Sequence, residues 1–161
     1  MRHTILAVDD EPANLRMLER LLRKEYAVLT ATSGPEALEL LRHEPVSLII
    51  TDQRMPGMTG TELLSHSIQT NPDAVKIILT GYTDVDALIE AINCARVYKY
   101  VSKPWDPIML QETIRQALTE QQRSLEQKKL LDGLVRLVQS HLGAFVADDS
   151  NYQEVLEKAS D

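Results

Sequence analysis

The side chains most able to do chemistry in this sequence each follow a short apolar run. Asp9 and Asp10 follow one run, Asp52 a second, Thr80 a third and Lys103 a fourth. Runs of this kind are typical of strands in a parallel sheet, whose carboxyl ends meet at the edge where ligands bind. Carboxylates that meet there must share a proton or a cation. Because their ligand atoms are all oxygens, the pattern favours Mg²⁺.

Strands and helices alternate around these residues. The predicted strands cover residues 3–8, 27–31, 46–52, 75–79 and 97–101. Helices are predicted from Pro12 to about Arg23, from Thr59 or Gly60 to about Asn71, and from Thr83 to about Ile92. Two more begin near Ser33 and Asp106. Ser33 is a predicted N-cap, with Glu36 three residues later as in a capping box. The apolar face of the last helix is predicted as Ile108, Leu110, Ile114 and Leu118. Right-handed crossovers then place helices on both faces of the sheet.

The order and spacing of these motifs resemble the receiver domain of two-component response regulators. The resemblance covers residues 3 to about 119 and rests on four motifs. They are Val8-Asp9-Asp10-Glu11, Asp52-x-x-Met55-Pro56-Gly57-Met58-x-Gly60, Thr80-Gly81 and Lys103-Pro104. The resemblance implies an α/β fold, a (βα)5 doubly wound parallel sheet of the flavodoxin-like type with strand order 2-1-3-4-5.

The resemblance also implies a set of site residues. Asp52 would accept a phosphoryl group from a sensor histidine kinase or a phosphotransfer protein. Asp10 and Asp52 would bind Mg²⁺ (or Mn²⁺) directly, Asp9 would bind it through water, and the backbone carbonyl of Arg54 would complete the shell. Lys103 would neutralise a phosphoryl oxygen as a compact point charge.

A second set of residues would sense the phosphoryl group. By resemblance, the Thr80 hydroxyl would donate to a phosphoryl oxygen and Tyr100 would act with it as a rotameric switch. Gly81 leaves access to the phosphoryl group more open than a bulkier residue would. The resemblance makes Lys103-Pro104 a candidate cis peptide bond.

Composition limits the remaining possibilities. The chain has 161 residues, 43% of them hydrophobic, a formal net charge of −7 and one cysteine, Cys94. No apolar stretch approaches the roughly 20 residues that span a bilayer. No secretory signal precedes the first strand, so a cytoplasmic location is expected. The negative charge argues against broad attraction to nucleic acid or anionic membranes.

The last forty residues differ in character from the first 121. We predict a receiver domain over residues 1–121 and a helical extension over residues 122–161, which could act as a linker or a dimerisation element before an output domain. Its apolar stripe consists of Leu130, Leu131, Leu134, Val135, Leu137, Val138 and Leu142. The stripe could pack back on its own domain, pack against a second chain or begin an output module. We expect a homodimer through the extension, joined by the surface from Asp84 to Thr119, and no direct reading of nucleic acid, because no basic recognition helix is visible.

Two other functions compete with a phosphoaccepting signalling domain that is not itself an enzyme. A metal-dependent phosphatase of the haloacid dehalogenase type also forms an aspartyl phosphate. A chain that resembled that class would have its nucleophile on the first strand and a second Asp two residues later. Here the first strand ends in Asp9-Asp10-Glu11 and the best nucleophile is on the third. A flavodoxin-like cofactor binder needs a loop that welcomes phosphate, and this acidic triplet would repel one.

Overall fold

The computed structural model describes residues 2–81 and 96–159, with the side chains of the last helix as far as residue 143. The strands are β1 (Thr4–Val8), β2 (Ala27–Ala31), β3 (Leu48–Asp52), β4 (Val75–Thr80) and β5 (Lys99–Ser102). The helices are α1 (Pro12–Leu22), α2 (Gly34–His43), α3 (Gly60–Ser67) and α4 (Pro107–Ala159). The helix predicted from Thr83 to Ile92 lies outside the described residues, as does the Asp84 end of the surface expected to join the dimer.

The five strands form one parallel sheet in the order β2-β1-β3-β4-β5. This confirms the predicted flavodoxin-like topology. β1 and β3 lie inside the sheet and are almost entirely buried, whereas β2 lies at an edge and is only partly buried. Residues 27–31 have less apolar bulk than the inner strands, as is typical of a strand nearer the edge of a sheet.

The side chains of the sheet pack into two cores, one on each face. Leu48 and Ile50 point into the core covered by α1 and the first turns of α4, and Ile49 points into the core covered by α2 and α3. All three are 0% exposed. Burying a Leu or Ile contributes roughly 1.5–3 kcal/mol. Two filled cores therefore hold the sheet rigid beneath the polar side chains at its edge.

Side-chain caps fix where three of the helices begin. The Ser33 hydroxyl accepts a hydrogen bond from the Glu36 amide at 3.3 Å, and the Thr59 hydroxyl accepts one from the Glu62 amide at 3.2 Å. Asp106 caps the last helix by accepting from the backbone amides of the two residues that follow Pro107, at 2.8 and 3.1 Å. These caps satisfy helix amides that would otherwise lack partners. The helix starts predicted near Ser33, Thr59 and Asp106 are thus confirmed.

Several predicted element ends were wrong. α3 ends at Ser67 rather than near Asn71, because the chain then tightens into turns in which the Gln69 and Thr70 amides donate to the carbonyls three residues earlier, at 3.3 and 3.2 Å. β3 begins at 48 rather than 46, and β5 begins at 99 rather than 97. Ile108 is 77% exposed and does not belong to the apolar face of α4. It precedes the buried Leu110 by two residues, and two residues turn a helix by about 200°.

The chain divides into two compact units, Met1–Gln121 and Gln122–Asp161. In the second unit the seven residues of the apolar stripe are exposed, from 46% for Val135 to 69% for Leu130. None of the helices in the described part of the chain is both long and apolar enough to cross a membrane.

Candidate functional site

The ends of four neighbouring strands bring the predicted site residues to one edge of the sheet. Register pairs Val8 with Thr51 and Asp52 with Leu79, so that the carboxylates after β1 and at the end of β3 face a common space. Asp9, Asp10 and Asp52 each offer an oxygen within 4.8 Å of the others. We call these three residues the acidic cluster.

Asp9 is the buried member of the acidic cluster. It is 1% exposed, and its carboxylate accepts hydrogen bonds from the Glu11 amide at 2.9 Å and from the Asn14 side chain at 3.1 Å. Asp10, the next residue, is exposed. The two adjacent carboxylates therefore differ in environment. Asp9 is held in place by hydrogen bonds within the protein, whereas Asp10 is open to solvent and can bind a ligand from it.

Lys103 places a positive charge next to the acidic cluster. Its ammonium lies 2.9 Å from Asp52 Oδ1 and 3.7 Å from Asp9 Oδ2. The pKa of Asp52 is raised, first because burial disfavours the carboxylate and further because Asp9 repels it; the hydrogen bond and charge of Lys103 oppose this rise. The peptide bond that joins Lys103 to Pro104 is cis.

The Lys103–Asp52 pair yields a test of site electrostatics without metal. In EDTA at pH 7, Lys103→Met is expected to lower the free energy of unfolding by on the order of 1–2 kcal/mol, because it removes the ammonium that lies beside two packed carboxylates. Without the lysine the folded-state pKa of Asp52 rises further. The destabilised species is the carboxylate, so the loss should be present at neutral pH and shrink as the pH falls through that raised pKa.

Urea unfolding at a series of pH values measures this effect. Lys99→Met is the matched control, because Lys99 is an exposed lysine four residues earlier on β5. A Lys103→Met penalty that stays constant down to pH 3 would show that the lysine acts through packing and not through charge.

Thr80 and Tyr100 lie on neighbouring strands, Thr80 at the end of β4 and Tyr100 within β5. Thr80 is 5% exposed, and its hydroxyl donates to the Gly81 carbonyl at 3.2 Å. Tyr100 is half-buried, pairs in register with Ile78, and burial raises the pKa of its phenol, which keeps the ring neutral. The Thr80 hydroxyl would therefore exchange a backbone partner for any new acceptor at the site.

The loop after β3 returns very close to the strand. Gly57 has a φ of +81°, a conformation that side chains rarely adopt. A Cβ atom on Gly60 would collide with the backbone carbonyl of Asp52. Both glycines of the Met55-Pro56-Gly57-Met58-x-Gly60 segment are therefore demanded by backbone geometry. Arg54, whose carbonyl is a predicted ligand, lies at the start of this loop.

Asn14 and Gln53 are site residues that sequence reasoning missed. Asn14 orients Asp9, and the Gln53 amide donates to Asp52 Oδ1 at 3.0 Å. Gln53 is only 6% exposed. The position of Gln53 directly after Asp52, the proposed phosphoacceptor, could have marked it as a site residue. Nothing in the spacing of the sequence showed that its side chain is buried.

The fold and the site together define a doubly wound α/β protein with an oxygen-rich site at a topological switch point. The family model of the response regulator receiver domain matches residues 5–115. The chain belongs to this family, as its motifs had indicated. The phosphatase alternative finds no support in this match.

Individual relatives agree with the family match. The chain is 46% identical over 118 residues to the hydrogenase transcriptional regulatory protein HoxA of Cupriavidus necator, covering 73% of this chain and 24% of that protein. It is 36% identical over 117 residues to the transcriptional regulatory protein GlrR of Escherichia coli, covering 72% and 26%. The chain thus spans about a quarter of the length of these curated relatives.

Among solved structures, the chain resembles the signal receiver domain of an HD domain-containing protein from Pseudomonas fluorescens. That likeness has a TM-score of 0.73 and 37% identity, and it covers 76% of this chain and 99% of that one. A CheY-like receiver domain from Methanospirillum hungatei gives a TM-score of 0.73 at 32% identity, covering 77% and 99%.

The donor set of the acidic cluster fits Mg²⁺. All three side chains offer carboxylate oxygens, and Asp10 is open to the water that Mg²⁺ retains. Lys103 already compensates part of the negative charge in the described structure. A divalent cation would compensate the remaining negative charge of the three carboxylates.

Proposed function

We propose that the chain is a phosphoacceptor switch in which Asp52 receives a phosphoryl group from a histidine kinase or phosphotransfer protein. The observation that carries this proposal is the Asp52 carboxylate, 13% exposed at a strand end, with the Lys103 ammonium 2.9 Å away. A carboxylate oxygen of Asp52 would attack phosphorus. The O–P bond forms, the P–N bond of the phosphohistidine breaks, and the imidazole leaves and regains its proton.

Mg²⁺ (or Mn²⁺) would supply the charge neutralisation that phosphoryl transfer requires. Asp10 and Asp52 would be direct ligands, Asp9 would bind through water, and the Arg54 carbonyl would complete the shell. The hydrogen bonds that hold Asp9 would keep the cluster in place during transfer. Lys103 would move from the free carboxylate to a phosphoryl oxygen.

The response to phosphorylation would begin at Thr80. A phosphoryl group adds charge and acceptor oxygens that a carboxylate lacks. The Thr80 hydroxyl would leave the Gly81 carbonyl for one of these oxygens, and Tyr100 on the next strand would fill the space it vacates. The new state is favoured only by as much as these contacts differ from the old ones.

Incubation with phosphoramidate and Mg²⁺ tests the proposed function. One phosphoryl group per chain is expected in the mass spectrum of the intact protein, without sustained turnover of the donor. Continuous release of phosphate at enzymatic rates would instead favour the phosphatase alternative. We propose a signalling role rather than an enzymatic one because the matched family is a receiver domain.

A cleft beside the acidic cluster suits a protein donor. It has a volume of about 420 Å³ and is lined by residues of α1 and the start of α4 together with Asp9, Lys103 and Trp105. Met17 is 54% exposed. An apolar rim next to the acceptor could hold a kinase helix while its histidine reaches Asp52. A cytoplasmic location, which such kinase partners require, is part of this proposal.

The helical extension would join two copies of the chain. Its seven stripe residues are exposed, and contiguous apolar surface of this kind is typical of an interface. A symmetric dimer is the simplest closed arrangement that covers it. Removing residues 122–161 is therefore expected to convert a dimer into a monomer, measured by sedimentation velocity over a range of protein concentrations.

A variant of the whole 161-residue chain with Leu134→Glu and Val138→Glu separates the effect of the stripe from the effect of chain length. It should sediment as a monomer, while Asp132→Lys, which changes charge on the same exposed helix, should remain dimeric. If the unmodified chain is monomeric at high concentration, with and without beryllofluoride, the extension does not dimerise. An output domain after residue 161 would sense the dimer geometry.

A further inference from the structure

The side chain of Gln53 makes a buried contact that the phosphoacceptor role does not by itself require. Its carboxamide oxygen accepts two hydrogen bonds from one residue, from the Thr61 amide at 3.0 Å and from the Thr61 hydroxyl at 2.7 Å. Gln53 is 6% exposed and Thr61 is 7% exposed. Buried polar groups of this kind are costly unless paired, so the two residues depend on each other.

Both backbone polar groups of Gln53, the amide and the carbonyl, also make hydrogen bonds. Its amide lies 3.0 Å from Asp52 Oδ1 and 3.2 Å from the Leu79 carbonyl, and its carbonyl accepts the Gly60 amide at 3.0 Å. Side chain and backbone together tie the end of β3 to the first turn of α3. The loop of residues 54–59 is thereby closed at its base.

Capping of α3 accounts for only part of this contact, because the Gln53 carboxamide oxygen accepts the first-turn amide of Thr61 but also its hydroxyl, which helix capping does not require. Thr59 already caps the helix through the Glu62 amide, and the Gly60 amide is satisfied by the backbone carbonyl of Gln53. Water could satisfy Thr61 if the loop stood open. What the contact adds is a fixed base for the loop, and the Arg54 carbonyl is the first peptide oxygen within it.

We propose that the Gln53–Thr61 contact positions the Arg54 carbonyl and the Asp52 carboxylate relative to each other, and so sets the Mg²⁺ affinity of the site. This inference rests on the proposed function. Gln53 is a positioning residue: its side chain acts through the peptide that follows it. Loss of the contact loosens the loop without removing any metal ligand.

Gln53→Met tests the inference because it keeps side-chain length and removes the accepting oxygen. Mg²⁺ titration can be followed by the fluorescence of Trp105, the one tryptophan, which lines the cleft with Asp9 and Lys103. The Mg²⁺ dissociation constant is expected to rise about tenfold, as when a partner of a metal ligand is lost. Phosphorylation by phosphoramidate should need correspondingly more Mg²⁺, with a maximal rate near that of the wild type.

Variants at Thr61 give a second arm should Gln53→Met fold poorly. Thr61→Val removes the hydroxyl donor and should weaken Mg²⁺ binding. Thr61→Ser keeps the hydroxyl donor and should bind Mg²⁺ as the wild type does. Gln69→Met, the same replacement at an exposed position after α3, is the control.

An unchanged Mg²⁺ midpoint in folded Gln53→Met or Thr61→Val, with only a lower unfolding temperature, would overturn the inference and leave a purely structural contact. Failure of the proposed function looks different, because the wild-type protein itself would then show neither a Mg²⁺ response nor phosphorylation.

Discussion

Asp52→Asn is expected to abolish phosphorylation by phosphoramidate or acetyl phosphate. The amide is nearly isosteric with the carboxylate but is a far weaker nucleophile, so the O–P bond cannot form. The same variant should be more stable than the wild type in EDTA at pH 7. Burial raises the pKa of Asp52, and a carboxyl whose folded-state pKa is raised destabilises the protein once it ionises. Below the ordinary pKa of 3.8 the two proteins should have similar stability.

Intact-mass spectrometry and thermal unfolding measure these two effects on the same samples. Asp132→Asn, at an exposed position of α4, should change neither. Mg²⁺ should stabilise the wild type and have little effect on Asp52→Asn. Full labelling of Asp52→Asn would place the acceptor elsewhere and refute the proposed function.

Asp10→Asn and Asp9→Asn are expected to fail in different ways. Asp10 is exposed and is the proposed direct ligand, so its loss should weaken Mg²⁺ binding by about tenfold or more, since Mg²⁺ is bound through only one or two carboxylates. Its effect on unfolding in EDTA should be small. The Asp9 carboxylate accepts hydrogen bonds from the Glu11 amide and the Asn14 side chain and lies near the Lys103 ammonium. In Asp9→Asn the NH2 group of the new side chain would face one of these donors. Asp9→Asn should therefore mainly reduce stability, by about 1–3 kcal/mol.

Measuring Mg²⁺ affinity and urea unfolding for both variants separates the two roles. Glu44→Gln, an exposed acid that ends α2, controls for the change in net charge. Equal Mg²⁺ midpoints for the wild type and Asp10→Asn would remove Asp10 from the ligand set, whatever happens at Asp9.

The sequence by itself determined the alternation of strands and helices and the residues that meet at the sheet edge. Apolar runs that end in Asp9, Asp52, Thr80 and Lys103 predict adjacent strand ends, because parallel strands present their carboxyl ends on one side. The caps at Ser33 and Thr59 could also be predicted, because capping depends on residues only three apart. Strand order came from the resemblance and is confirmed.

Only the tertiary structure decided how each polar side chain is used. Asp9 and Asp10 are indistinguishable by type, yet one is buried and bonded and the other is exposed, because the chain turns between them into α1. Gln53 is likewise buried only because α3 returns to the end of β3.

Lys76 shows the same limit of sequence reasoning away from the site. It is 3% exposed on β4, its ammonium donates to the Ala74 carbonyl at 3.0 Å, and burial, with the nearby charge of Arg96, lowers its pKa. Sequence periodicity assigns a residue to a face of an element. Whether water reaches that face depends on segments distant in sequence, and this determines the burial, pKa and partners of each side chain.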